Sequence, residues 1–337
     1  MKNKYQNLLI VILLLFIFFE VLFNKLIVLN TIMESLNIWV KAIIPSLFPF
    51  FVISDLLISY NFINYIPKCI KNCLCKLFNI SDSALSILLL SMLSGFPSNG
   101  RNTHILYNEG KISKEEASYI LMYTHFASPV FILTTCSLLY LKSEKLGIVL
   151  LLSHYLANII IAILFKNMNK PSVDNSIIVI TKSQNFTSNL IKSIRKAIDT
   201  LLLILGILTT FLIISSLIIN ILKTSLYSSA IIRSILEMTL GLKYISILNI
   251  STLHKVILFS AILSFGGLSV HMQVISQIAE DNISYKYFFI GRIFQVLFSI
   301  ILSYIFYNLF FISLAATKPV AAAVTILPAF PAPSPIK

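Results

Sequence analysis

Two apolar runs in this chain are each cut short by glycine, and the same spacing follows each cut. Gly95-Phe96-Pro97-Ser98 is followed, seventeen positions after its glycine, by Ile112-Ser113. Gly266-Gly267-Leu268-Ser269 is followed, seventeen positions after its first glycine, by Ile283-Ser284. Upstream of each lies a Lys-Ala-Ile (Lys41-Ala42-Ile43 and Lys196-Ala197-Ile198) that opens a long apolar segment. A hydrophobic unit that recurs, and is broken by Gly or Pro at matching places, points to a transporter built from repeats.

The rest of the chain agrees with a membrane setting. Of 337 residues, 57% are hydrophobic and 12% charged, a balance that a soluble surface cannot hide. Several runs reach the roughly 18 apolar residues needed to cross a bilayer, and the alternating segments of a β-barrel are absent. The net charge of +13 lies mostly between apolar segments. Topology and anionic lipid headgroups therefore account for it, and nucleic acid is not expected as a partner. The fold class is all-α, with about eight transmembrane segments in two inverted repeats with re-entrant hairpins.

Spans are expected at Leu8 to Leu29 and at Trp39 to Tyr60, the second kinked by Pro45 and Pro49. Ala84 to Leu93 is half a span, broken by Gly95, Pro97 and Gly100 and followed by polar residues, and reads as a hairpin. Ser113 and Glu116 form a capping box before a span, Ala117 to Tyr140, that Ser128-Pro129 breaks. Gly147 to Phe165 and Ala197 to Leu222 are further spans, and Tyr227 to Leu248 crosses partly or lies at the interface. Val256 to Leu263 is again half a span, with Val270 to Glu280 returning as the second hairpin before a last span, Ser284 to Phe311. The domain reading is an N-terminal anchor helix (1–35), repeat 1 with the first hairpin (36–166), a polar linker (167–195), repeat 2 with the second hairpin (196–312), and an Ala/Pro-rich, disordered tail (313–337).

Polar groups at bilayer depth are costly and default to function. Each hairpin tip would present a helix N-terminus, whose unpaired N–H groups and positive dipole end attract an anion. Gly95, Pro97, Gly100, Gly266 and Gly267 let a substrate approach the backbone, and Ser98, Asn99, Asn102, Ser269 and Gln273 add hydrogen bonds. Arg101, His104 and His271 add positive charge. The competing account is that these small residues let helices pack closely. Arg292 pairs with a substrate carboxylate or with a buried acid such as Glu237. Glu20, in the middle of the first span, is either a coupling carboxylate or a contact to another helix.

No catalytic motif is present: there is no His-Glu-x-x-His, Gly-x-Ser-x-Gly or P-loop, so an enzyme is not expected. Cys69, Cys73 and Cys75 match no standard zinc spacing, and neither a metal nor another cofactor is expected.

Several segments resemble one family. These are Pro45-Ser46-Leu47-Phe48-Pro49-Phe50, Leu93-Ser94-Gly95-Phe96-Pro97-Ser98-Asn99-Gly100, Ala127-Ser128-Pro129-Val130-Phe131, Glu237-Met238-Thr239-Leu240-Gly241 and Phe265-Gly266-Gly267-Leu268-Ser269-Val270-His271-Met272-Gln273. Together they resemble the YlbJ family of sporulation integral membrane proteins, which carry the nucleoside-recognition Gate domain. The resemblance runs over about residues 36 to 312, and in the first motif Asn99-Gly100-Arg101 matches the family pattern more loosely. It implies transport of a small anion, dipicolinic acid, in the cytoplasmic or outer forespore membrane of a spore-forming Gram-positive bacterium. Membrane lipid and other sporulation membrane proteins are the implied partners. It adds Ser128, Pro129 and Glu237 to the candidate substrate residues. The rival readings are a nucleoside transporter, which needs Arg101 less, and a non-transporting sporulation scaffold.

Overall fold

The computed structural model describes residues 2–171 and 185–311. The tail expected at 313–337 lies outside these residues, as does 172–184 of the expected linker. The described residues are helical, with no strand among them.

Helix α1 (Lys2–Phe23) is apolar on every side, and none of its membrane-length stretch is buried. Only lipid can accept such a surface. The expected first span, Leu8 to Leu29, is interrupted: the chain turns at Asn24, whose Nδ2 donates to the Glu20 carboxylate at 2.8 Å. Glu20 is thus held by its own helix end. Helix α2 (Lys25–Ile38) continues through a π-helical turn, Trp39–Ile43, into α3 (Ile44–Ser59). The result is one apolar stretch, Lys25–Ser59, that runs through the expected boundary at residue 35.

Helix α4 (Lys68–Phe78) meets α5 (Asp82–Ser94) at 90°. A break at Gly95 leads into α6 (Ser98–Asn108), which packs back on α5 as the expected first hairpin. The short α7 (Lys114–Ile120) starts where the capping box was read, with Ser113 Oγ accepting from Glu116 N at 3.1 Å. The Glu116 carboxylate also accepts from Ser81 N, at 2.8 Å. A non-helical stretch, 121–128, follows; Pro129 opens the next helical segment, which is π-helical over Phe131–Leu141, and α8 (Glu144–Leu164) comes after it.

Helix α9 (Phe186–Leu222) begins inside the expected linker and is 37 residues long, about 55 Å at 1.5 Å per residue. Helices α10 (Leu226–Leu236) and α11 (Met238–Ile247) are split at Glu237 and pack on each other. Helices α12 (Thr252–Phe265) and α13 (Gly267–Ile278) are split at Gly266, and α14 (Tyr285–Phe311) closes the described chain.

The second hairpin lies elsewhere than expected. Across Gly266 the chain forms one apolar stretch, Thr252–Asp281, in which α12 packs on α8, α11 and α14 while α13 packs on α6, α9 and α10. The helix pair that folds back on itself is α10–α11. Packing partners recur in this new correspondence: α5 on α6 as α10 on α11, α3 on α5 as α9 on α10, and α7 on α14 as α12 on α8. By packing, the Gly95 break matches Glu237, and the Gly266 break matches Ser128-Pro129. Among the described residues six helices are long and apolar enough to cross a membrane, seven if α4–α5 is one bent span, against about eight expected. The segments expected at Ala117 to Tyr140 and at Tyr227 to Leu248 are each split into shorter helices.

Candidate functional site

Non-helical backbone at membrane depth must be buried in protein or line a cavity, because lipid offers no hydrogen bonds. This chain meets that demand by bringing its breaks together. At the first, Gly95 takes φ +76°, and a Cβ there would lie 2.5 Å from Ser128 N, so only glycine fits. Phe96 N donates to Phe126 O at 2.7 Å, a main-chain bond between the hairpin tip and the break after α7. Gly266, at φ +86°, lies against the His125 ring, and a Cβ would come within 2.9 Å of Nε2. Gly267, at φ +70°, lies against Met238 N and Glu237 Cα.

The break after α7 is held from two sides. From α8, His154 Nε2 accepts from Ala127 N at 2.9 Å and Asn158 Nδ2 donates to His125 O at 2.7 Å. From α14, Arg292 Nη2 donates to Met122 O at 2.8 Å and Gln295 Nε2 to His125 O at 3.3 Å. Tyr155 OH adds bonds to Met92 O and Ala127 O. Each orphan group satisfied in this way avoids a penalty of about 1–3 kcal/mol.

Where the breaks meet there is a cavity of about 40 Å³ lined by Ser46, Ser128, Glu237, Thr239 and Gln273 among apolar side chains that include Ile43, Leu47, Phe96, Phe131 and Val270. The elements that contribute are α3, both break segments, α9, the α10–α11 hairpin and α13. Glu237 is 2% exposed, and its Oε2 accepts from Leu240 N at 2.8 Å, so its carboxylate caps α11. A carboxylate thus occupies the N-terminus of α11, which is not one of the two helix ends, after Gly95 and Gly266, at which an anion is expected from the sequence.

Of the sequence-predicted residues, Ser128, Glu237 and Gln273 line the cavity. Gly95, Gly266 and Gly267 shape its walls by letting the breaks touch. Gly100 packs α6 on α13, where a Cβ would meet Val274 at 3.3 Å, as the close-packing account has it. Pro97 belongs to the first break, Pro129 opens the helix that follows the second, and Ser98 Oγ donates to Gly95 O. Asn99, Asn102 and Ser269 are buried, each with a side-chain polar atom that has no hydrogen-bond partner among the described residues.

The four expected bases are engaged elsewhere. Arg101 pairs with Asp55 of α3. His271 bridges Tyr285 OH at 2.6 Å and Phe265 O at 2.9 Å. Arg292, fully buried, bonds the Gln295 side chain and main-chain carbonyls rather than Glu237. Its charge is met by the carbonyls that the break after α7 leaves open. His104 pairs with Asp281 at 2.6 Å. Sequence reading missed the supporting residues His125, His154, Asn158 and Gln295, which carry no motif, and the cavity residues Ser46 and Thr239. The last two sit inside segments that resembled the YlbJ family, and that was the only signal for them.

The described chain is thus a polytopic α-helical membrane protein whose helices break around a buried cavity with mostly apolar walls and five polar side chains. It is similar to the sporulation integral membrane protein YlbJ of Bacillus subtilis (strain 168), with 25% identity over 297 residues, 77% of this chain and 73% of the relative. The match supports the YlbJ family, as the motifs did. No family model matches the chain, and neither does any solved structure.

Proposed function

We propose that this protein is a sporulation membrane transporter that moves a small organic anion, dipicolinate first among the candidates, through the cavity where its breaks meet. The observation that carries the reading is the convergence of four chain breaks, at Gly95–Pro97, 121–128, Glu237 and Gly266-Gly267, around a buried cavity whose mostly apolar walls carry five polar side chains. A scaffold has no need of costly broken helices at membrane depth, whereas a transporter uses them to expose polar groups to a substrate. On this reading the two halves, whose packing partners recur, are inverted repeats that rock about the α8–α14 contact to open the cavity to either side. The relative's name supplies the link to sporulation.

At about 40 Å³ the cavity holds little more than one water, so this is a closed state that must open to admit any substrate. A specific observation favours a second reading. The cavity holds an acid, two hydroxyls from Ser46 and Ser128, a third from Thr239 and the Gln273 amide, but no Arg, Lys or His. That set suits a neutral, hydrogen-bonding ligand such as a nucleoside. Uptake of labelled dipicolinate and of a labelled nucleoside into proteoliposomes separates the two. Saturable dipicolinate flux supports the first reading. Nucleoside flux alone replaces it with the second, and flux of neither from correctly inserted protein returns the scaffold.

A further inference from the structure

The cavity lacks a base, yet one turn into α6 from the hairpin tip lies a buried arginine with a single carboxylate partner. Arg101 and Asp55 are ion-paired, with side chains 6% and 4% exposed. Arg101 also lies over the Phe51 ring, 5.6 Å from its centroid. Asp55 commits one oxygen to Arg101, while the other, Oδ1, is buried with no hydrogen-bond partner among the described residues. Leu47, Phe51 and Asp55 follow one another at four-residue steps along a single face of α3. Leu47 lines the cavity, so the pair lies about 12 Å from it along α3, with Phe51 between.

The other charges that act on the pair come from α9, where Lys196 faces Asp55 and Asp199 faces Arg101, each opposite in sign to the group it acts on. Among the remaining elements packed on α3, α5 carries only Asp82, which is taken up by Lys71, and the turn Phe62–Tyr65 carries only the exposed Tyr65. The π-helical turn Trp39–Ile43 carries Lys41, twelve or more residues before Asp55.

We propose that Asp55 is the proton-binding group of proton-linked anion transport, and that its protonation turns Arg101 into an anion site set back from the cavity behind Phe51. The inference rests on the transport reading above. Charge decides it. With Asp55 ionised, the pair is neutral and an approaching carboxylate gains nothing while Asp55 repels it. A proton from the aqueous phase, added to the open Oδ1, converts the carboxylate to the acid and leaves Arg101 with one uncompensated positive charge. The anion then takes the place of Asp55 on the guanidinium, in the bidentate geometry that carboxylates prefer. On release the proton returns to water, Asp55 recovers Arg101, and each turnover carries one proton with the anion. This supplies the positive charge that the cavity itself lacks.

The test is dipicolinate accumulation in proteoliposomes with and without an inward gradient of one pH unit, for the wild type, Asp55→Asn and Asp55→Glu. One proton per anion predicts about tenfold accumulation driven by the gradient in the wild type. Asp55→Glu keeps that response, and Asp55→Asn moves dipicolinate only down its own gradient, with no response to pH. Should Asp55→Asn fold poorly, the double replacement Asp55→Asn with Arg101→Gln removes both buried charges together, and its residual flux is expected to ignore the gradient. Wild-type flux that ignores the gradient, or gradient-driven accumulation that survives Asp55→Asn, overturns the proposal. Absence of any wild-type flux, in protein shown to be folded and inserted, overturns the transport reading beneath it instead.

Discussion

Gly291 of α14 lies directly against the backbone carbonyl of Met122, so close that a Cβ at this position would overlap the carbonyl oxygen. The approach lets the next residue, Arg292, donate to the same carbonyl at 2.8 Å. One glycine therefore sets how closely the last span can approach the break after α7. Replacement by alanine forces backbone from backbone, an overpacking cost of about 3 kcal/mol. Gly291→Ala is expected to lower the melting temperature in detergent and to reduce the monodisperse yield. An unchanged melting curve would mean that this contact is not made.

Arg292 is expected to act on the fold rather than on the substrate. Its hydrogen bonds go to Met122 O, Ser264 O and the Gln295 side chain. Arg292→Met leaves a buried carbonyl without a strong donor and should cost about 2 kcal/mol of stability. The fraction that remains folded should bind substrate as the wild type does. Affinity lost at unchanged stability would place Arg292 on the substrate after all.

How much of this was legible in the sequence varied with the kind of residue. Breaks made by Gly95, Ser128-Pro129 and Gly266-Gly267 stood out, because Gly and Pro interrupt an apolar run for reasons local to the backbone. The Glu237 break did not. A glutamate gives no local signal, and it ends α10 and caps α11 only because its side chain turns back to Leu240 N. For that reason Tyr227 to Leu248 reads as one segment in the sequence, although it is two helices folded on each other. The bases were misplaced for a different reason. Arg101 and Asp55 are 46 residues apart, and nothing in the spacing of either predicts the other.

Glu237 carries two roles that separate by substitution. Glutamine keeps an oxygen that can accept from Leu240 N, while alanine removes the cap, at about 1 kcal/mol. Glu237→Gln is expected to melt as the wild type does, and Glu237→Ala several degrees lower. Since Glu237→Gln also removes the only acid that lines the cavity, it should raise apparent affinity for an anionic substrate relative to a neutral one. Equal changes for dipicolinate and a nucleoside would argue against Glu237 facing the ligand.

Gly95→Ala tests the meeting of the first two breaks. The residue has φ +76°, and its added Cβ would fall 2.5 Å from Ser128 N. Strain and overlap together should prevent the hairpin tip from seating, with loss of folded protein in size-exclusion chromatography. A folded and fully active Gly95→Ala would contradict the arrangement of the tip.

The central claim is that the cavity between the breaks opens in turn to the two sides of the membrane. The most direct measurement replaces Cys69, Cys73, Cys75 and Cys136 by serine and introduces Gln273→Cys, a buried position on the cavity wall. A membrane-impermeant maleimide is then applied separately to each face of oriented vesicles. Labelling of the introduced thiol from both faces, slowed by dipicolinate, is the result this account predicts. Labelling from neither face, or from one face only with no effect of substrate, would contradict it.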